Sequence, residues 1–516
     1  MSKSLLAIFF CCCLLSACAS LPQNTTSPSS AIYQSEQSYL SHAVKDQRQR
    51  LGLTDSETLL TLLDTGVDSF VTRIALINDA QESIDLQYYL FHSDLSGGLI
   101  TAALWKAAER GVRIRVLVDD IDLDGKDIEM EKFNAHPNVE VRIFNPFVRG
   151  ESRISQYVTG LGKVTRRMHN KSFSVDGSVA ILGGRNLADE YFSASEEVSF
   201  GDLDVAFTGE SVKEVQQAFD LYWNNDLSFN IELLTDYRPQ PNDLELVSQQ
   251  IDAFIIKNQN SLYMQAANDD DLVERINNDQ SNLYVGQTVV LYDNPLKIIS
   301  SHDKQQYNLA PQLQPYVDAT NEELIIVSPY FVPGKEGVAL FQAIVDRGVK
   351  VKILTNSMMS NDVTVVHAGY SKYRKALLKM GVELHEIDSQ RLGDLVKKSH
   401  KKRSSKASKL SLHAKYYIMD RDTAFIGSFN LDPRSRNENT EIGILTKSDT
   451  LGQFLAEEFD RKIDTLAFKL TLEDGDIIWT KMIDGKTIRY TKEPYSSWWD
   501  RTQNTLIKIL PMESQL

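Results

Sequence analysis

"RMHNKSFSVDGSVAILGGRN" runs from Arg167 to Asn186, and "SLHAKYYIMDRDTAFIGSFN" runs from Ser411 to Asn430. Both read His-x-Lys, four residues, Asp, six residues, Gly-Gly or Gly-Ser, one residue, Asn. The motif histidines, His169 and His413, stand 244 positions apart. Upstream, the strand-helix-strand run "SIDLQYYLF", "LITAALWKAAERG", "VRIRVLVDD" is echoed by "ELIIVSPYF", "VALFQAIVDRG", "VKVKILTNS". There, Arg110-Gly111-Val112 and Arg347-Gly348-Val349 stand 237 positions apart. An offset that drifts so little across half a chain is what duplication of one βαβ-type unit leaves. The expected fold class is α/β, with two homologous domains.

A chain of 516 residues is too long for one compact core. The expected division is 1–17 leader, 18–49 polar tether, 50–235 first domain, 236–299 connector, 300–470 second domain and 471–516 C-terminal hairpin and tail. Pro239, Pro241 and Asn242 punctuate the connector, and Asp484-Gly485 joins two alternating runs as a hairpin turn would. The composition is globular, 42% hydrophobic and 24% charged, and the net charge of −15 speaks against binding nucleic acid over the whole surface.

"MSKSLLAIFFCCCLLSACAS" opens on Lys3 and an apolar stretch too short to span a bilayer comfortably. "LSAC" resembles a bacterial lipobox, which implies that Cys18 is acylated and that Cys11, Cys12 and Cys13 are removed; an ordinary signal peptide or uncleaved anchor is the alternative. No cysteine follows Cys18, so the mature chain has no disulfide. Ala19 after the cysteine resembles an outer-membrane sorting signal, so the expected location is the cell envelope, on the periplasmic face of that membrane.

Along a strand, residues two apart share a face, so His169 neighbours Lys171 and His413 neighbours Lys415. Asp176-Gly177 turns the chain, and the returning strand brings Gly184 and Asn186 close. The second copy does the same with Asp420, Ser428 and Asn430. Lysine and asparagine suit an anion such as phosphate and not a metal, which would want carboxylates, cysteines or more histidines. No metal and no cofactor are therefore expected. Two halves facing each other across a pseudo-twofold axis would complete one cage, with an imidazole on each side for in-line displacement at phosphorus. One neutral histidine would attack and the other, protonated, would protonate the leaving alcohol.

The doubled pattern resembles the phospholipase D superfamily. "RRMHNKSF", "GGRNLADEYF", "FGDLDV", "SPYFVPG" and "VHAGYSKYRKALLKMGVELHE" are most similar to bacterial cardiolipin synthases that lack N-terminal transmembrane helices. The resemblance implies two phospholipase D-like domains sharing one active site and a phosphohistidine intermediate. Its partners would be membrane phospholipids. The implied reaction is phosphatidyl transfer, with hydrolysis to phosphatidic acid as the alternative and an envelope nuclease behind it. A non-catalytic scaffold is disfavoured by the intact His, Lys and Asn pairs.

The candidate catalytic set is His169, Lys171, Asp176, His413, Lys415 and Asp420. The resemblance makes the two aspartates structural or orienting and His169 the nucleophile. Gly184, Asn186, Ser428 and Asn430 would support the phosphate. An acidic residue after each motif would orient its histidine: Asp202, or Asp204 two residues on, in the first half, and Glu441 in the second. The basic run Lys397 to Lys409 reads either as a solvated loop or as a rim for anionic headgroups. "SSWW" (Ser496 to Trp499) is expected to pack on the hairpin, with an interfacial anchor as the other reading. Oligomeric state is not legible.

Overall fold

The structure, a computed structural model, describes residues 20–33, 35, 37–160, 164–192, 198–268, 282–390, 409–483 and 485–509. Cys18 with the lipobox expected there, and the basic run up to residue 408, lie outside the described residues.

Twenty strands are formed among the described residues. The first half carries β1 (Glu57–Leu63), β2 (Ser83–Tyr88), β3 (Arg113–Asp119), β4 (Val139–Phe144), β5 (Ser172–Val175), β6 (Val179–Gly183), β7 (Val198–Gly201), β8 (Asp204–Thr208) and β9 (Ser228–Asn230). The second carries β10 (Leu283–Tyr292), β11 (Glu323–Val327), β12 (Lys350–Thr355), β13 (Glu383–Ile387), β14 (Lys409–Leu412), β15 (Tyr416–Met419), β16 (Thr423–Gly427) and β17 (Ile442–Lys447). It continues into β18 (Ala467–Glu473), β19 (Asp476–Ile483) and β20 (Lys486–Tyr490).

Pairing reads as a near-palindrome. From one edge the order is β9-β4-β3-β2-β5-β6-β8-β1, and from the centre it continues β10-β17-β16-β15-β11-β12-β13-β18-β19-β20. Parallel ladders join β2, β3 and β4, and again β11, β12 and β13. The central pair β1–β10 is antiparallel, with Leu60 opposite Tyr284. The duplicated halves are thus fused into one sheet about a pseudo-twofold axis.

Alternation along the strands explains the layers. In β16, Ala424 and Ile426 point to a core shared by both halves, whereas Phe425 points to the core of the second half alone. Helices Glu210–Trp223 and Asp449–Leu466 cover the shared core, together with Leu60, Leu62 and Leu182 from the first half. Ser448 caps the second of these helices by accepting the Leu451 N–H, and Leu451, Leu455, Phe459 and Ile463 form its buried stripe. Each such side chain contributes roughly 1.5–3 kcal/mol on burial, so the shared layer binds the halves strongly.

Three expectations need correction. Residues 20–33 are not a free tether. The Asn24 amide donates to the Asp226 and Ser228 carbonyls, the Ala31 N–H donates to Asp220, and the Trp223 indole donates to the Ser29 hydroxyl. Polar residues that could equally face water here satisfy polar groups of the first half, and Tyr39–Arg50 follows as a helix.

The connector likewise belongs to the two folded halves. Helix Asp243–Asn258 sets Ile251 against Ala102 and Trp105, Tyr263 enters the first core, and β10 is the second half's counterpart of β1. The prolines marked only the turn ahead of that helix.

The hairpin β19–β20 is formed as expected, with Ile483 opposite Lys486. Trp498 and Trp499, however, are 69% and 56% exposed at the start of helix Trp498–Ile509, so they do not pack on it. No helix among the described residues is long and apolar enough to cross a membrane.

Candidate active site

Each motif histidine lies where a segment reaching into the other half runs into a strand of its own half. β14 lies parallel to β7, with Leu412 opposite Gly201, and the N–H groups of His413 and Ala414 both donate to the Gly201 carbonyl. The first half repeats the device with a single bridge, Met168 opposite Thr440, and the His169 N–H donates to the Thr440 carbonyl. In a parallel register the next residue on each side is flush with its neighbour. His413 therefore meets Asp202, and His169 meets Glu441.

The side chains close those pairs. His169 Nδ1 lies 2.8 Å from Glu441 Oε2, and His413 Nδ1 lies 2.6 Å from Asp202 Oδ2. The expectation that each carboxylate serves the histidine of its own half is overturned: both pairs cross the pseudo-twofold. The register also decides between Asp202 and Asp204. Asp204 turns away into the first half, where Arg73 and the Ser69 hydroxyl each lie 2.8 Å from its Oδ2.

The Gly-Gly and Gly-Ser difference between the motifs fits the two carboxylates. A Cβ on Gly184 would stand 2.1 Å from Asp202 Oδ1, so the short aspartate needs that glycine. At the equivalent place the Ser428 hydroxyl lies 2.5 Å from Glu441 Oε2 and donates to it, and Ser435 donates to the other oxygen at 2.8 Å.

Both lysines are buried beside their histidines. Lys171 Nζ donates to the His169 carbonyl at 2.7 Å, and Lys415 Nζ does the same at His413 at 2.6 Å. Lys415 Nζ is also 2.8 and 2.9 Å from the two ring nitrogens of His413. Asn186 Oδ1 accepts from the Leu90 N–H at 3.2 Å, while the buried Oδ1 of Asn430 has no hydrogen-bond partner among the described residues. The open atom is an acceptor, so it suits a hydrogen-bond donor such as a ligand hydroxyl.

The aspartates Asp176 and Asp420 are not part of this cluster. Each sits in its hairpin turn at positive φ, 50° and 51°. Asp176 accepts the N–H groups of Gln81, Glu82 and Ser83, and Asp420 those of Asn321, Glu322 and Glu323. They staple the motif hairpin to the start of β2 and of β11, a structural role in both halves.

Electrostatics separate the two histidines. Burial, then the charges of Lys171, Lys415, His413 and Arg434, hold His169 well below the usual imidazole range. Burial and Lys415 also lower His413, but Asp202 pulls it back by charge and hydrogen bond. Burial would raise Asp202, yet His413 and Lys415 outweigh it and keep that carboxylate well below the usual range. Glu441 goes the other way: burial pushes it up to about 7 against Lys171 and the two serines. Burial brings Lys171 down to about 7 and Lys415 to about 8. Two such ammonium groups in one buried place regain their ordinary basicity when an anion settles between them.

Several neighbours carry no signal in the motif. Tyr89 meets the His169 ring edge-on at 4.9 Å, and Tyr191 meets His413 at 5.1 Å. Arg434 adds a positive charge near His169. Asp293 accepts the Glu441 N–H at 2.8 Å and pairs with Lys297 at 3.0 Å. Tyr89, Tyr191 and Arg434 could have been sought next to the motif and its echo. Among the described residues, His92, Asp94 and Glu190 are near enough to share a metal ion, and no motif residue belongs to that group.

Residues 74–223 and 314–463 each match the family model described as "Cardiolipin synthase, PLD-like domain". Among curated proteins, the chain is 38% identical over 456 residues to "Cardiolipin synthase C" of Escherichia coli K12, covering 87% of this chain and 94% of that one. It is 26% identical over 409 residues to "Cardiolipin synthase" of Clostridium perfringens strain SM101, covering 78% and 70%. Among solved structures, the phosphatidylserine synthase of Haemophilus influenzae superposes with a TM-score of 0.57 at 13% identity, over 92% of this chain and all of that one. At that identity the likeness is one of fold.

Proposed function

The chain belongs to the cardiolipin synthase, phospholipase D-like family, and on that premise we propose that it moves a phosphatidyl group between phospholipids through a phosphohistidine on His169. The observation that carries this reading is the crossed pair of carboxylates. Both Nδ1 atoms are engaged by the opposite half, which makes each Nε2 the reactive nitrogen, with Lys415 Nζ 2.9 Å from the Nε2 of His413.

His169, kept neutral by burial and surrounding cations, attacks phosphorus through Nε2. The N–P bond forms as the P–O bond to the leaving alcohol breaks, and protonated His413 gives its Nε2 proton to that oxygen. Asp202 stabilises the imidazolium beforehand. Neutral His413 then takes the proton of the acceptor hydroxyl, whose oxygen displaces His169 and restores it. Lys171 and Lys415 hold the non-bridging oxygens throughout, with Asn430 as a further donor. A glycerol hydroxyl of a second phospholipid gives cardiolipin-type transfer; water gives phosphatidic acid.

The same reading takes Cys18 as the lipid-bearing residue of an envelope protein. From Leu21 and Asn24 onward the chain is fastened along the first half, so an acyl anchor at Cys18 would hold that half close to the bilayer. Cys18→Ser is expected to release the folded protein from membranes; retention in high salt would shift the anchoring role to the exposed Trp498 and Trp499. The function itself is tested by incubating purified protein with phosphatidylglycerol vesicles and scoring products by mass spectrometry. Cardiolipin is expected; phosphatidic acid alone would make the enzyme a hydrolase, and neither product would overturn the reading.

A further inference from the structure

The second half contains a cavity of about 490 Å3 between helices Leu309–Asp318 and Gly334–Asp346, roofed by the loop that follows β16. Ala310, Leu313, Val317, Leu340, Phe341 and Leu431 line it. Phe429, Leu431 and Asp432 in its wall flank Asn430 of the catalytic motif, and the charge of Asp432 reaches Lys415. At its solvent side, Arg436 pairs with Glu336 at 2.8 Å, both well exposed.

The pseudo-twofold shows what this space would otherwise hold. The two matched segments begin 240 residues apart, at 74 and 314, which sets Ala310 at the place of Phe70. The motif offset sets Arg436 at the place of Phe192. In the first half, Phe70 meets Phe192 at 5.7 Å and Tyr263 at 4.9 Å, both edge-on, and the Tyr263 hydroxyl donates to the Phe192 carbonyl. Three aromatic rings, one delivered by helix Leu262–Ala267, thus fill the first site. At the second site two of those rings are replaced by a methyl and a guanidinium. The volume is that of a small-molecule pocket, roughly 300–1,000 Å3, and its wall is apolar.

We propose that this cavity receives one fatty acyl chain of the phospholipid whose phosphate lies between His169 and His413. The proposal rests on the phospholipid reading above and names where the donor's tail goes. A mostly apolar slot whose wall contains the residues on either side of Asn430 fits a molecule that is anionic at one end and hydrocarbon at the other. The first half, with its slot filled by aromatic rings, leaves the donor a single way to lie, which sets the direction in which the phosphate meets the two histidines.

The test uses the full-length protein and vesicles of phosphatidylglycerol with a diazirine in its acyl chain. Irradiation should attach the lipid to peptides within 309–341 and 429–437. Ala310→Trp and Leu340→Trp, which fill the slot from two helices, should each remove those adducts. They should also lower kcat/KM on long-chain phosphatidylglycerol by roughly tenfold or more, with dihexanoyl phosphatidylglycerol nearly unaffected. Two variants at separate positions guard against a loss of folding in either, and each is checked by its melting temperature. Adducts confined to other surfaces, or filled variants with unchanged long-chain turnover, would overturn the proposal. Adducts in the cavity without any turnover would uphold it as an acyl-chain site while overturning the phospholipid-transfer reading. Turnover without cavity adducts would do the reverse.

Discussion

Around His169 the strongest influences after burial are cations, whereas around His413 the Asp202 carboxylate pulls against them. The two carboxylates diverge as well, Asp202 held low by His413 and Glu441 raised by burial to about 7. Yet both histidines come from the same motif, lie in the same backbone register, and reach across the same axis. What separates them is small: Asp against Glu, and Gly184 against Ser428. On the proposed mechanism, duplication supplies the symmetry that in-line displacement needs, and a few side chains would split two equal imidazoles into a nucleophile and an acid.

Replacement of the carboxylates tests that split most severely. Asp202→Asn removes the charge that supports the His413 imidazolium and should lower kcat by about 10³–10⁴-fold. Glu441→Gln alters a group already near half-protonated at neutral pH and should cost about 10–100-fold. Equal losses would break the comparison.

The motif's own difference comes next. Gly184→Ala drives a methyl into Asp202 and should cost about 100-fold in kcat by displacing it. Ser428→Ala removes only a donor and should cost less than about tenfold. Since the Ser428 hydrogen bond lowers the Glu441 pKa, its loss should move that group further upward.

The hairpin staples should behave alike in kind and differ in degree. Asp176→Ala strips three amides from a fully buried carboxylate and should cost about 3 kcal/mol of stability; Asp420→Ala, partly buried, about 1–2. Denaturant midpoints measure this, and the fraction that stays folded should keep its kcat. A kcat defect without a stability defect would return either aspartate to the catalytic set.

The mildest effect is in the pH profiles. His169 must be neutral, and its lowered pKa puts the acid limb well below 6.5. His413 must be protonated and is also lowered from 6.5, so kcat/KM should already decline as His413 loses its proton. It should fall further as Lys171 and Lys415 lose their charge through about 7 and 8. A bound phosphate raises both lysines, so kcat should hold to higher pH. Coincident alkaline limbs for the two parameters would argue against the lysines as the anion's ligands.

The duplicated strand-helix-strand pattern and the His-x-Lys repeat were legible in the sequence because period and spacing are local properties. The hairpin turns at Asp176 and Asp420 were legible for the same reason. Which histidine each carboxylate serves was not, because β14 meets β7 only after the halves assemble. The fusion of the halves through β1 and β10 was hidden likewise, since an alternating strand does not announce its partner. Residues 20–33 misled for a different reason: Ser, Thr and Asn serve water and a protein surface equally well, and composition cannot tell the two apart.

The central claim is the division of labour between His169 and His413. Intact-mass analysis of His169→Ala and His413→Ala, after mixing with a p-nitrophenyl phosphodiester, tests it directly. That leaving group departs without a proton, so His413→Ala should still form the phosphohistidine and accumulate it for want of a base. His169→Ala should carry no adduct. An adduct on His169→Ala, with none on His413→Ala, would contradict the account and reverse the roles of the two halves.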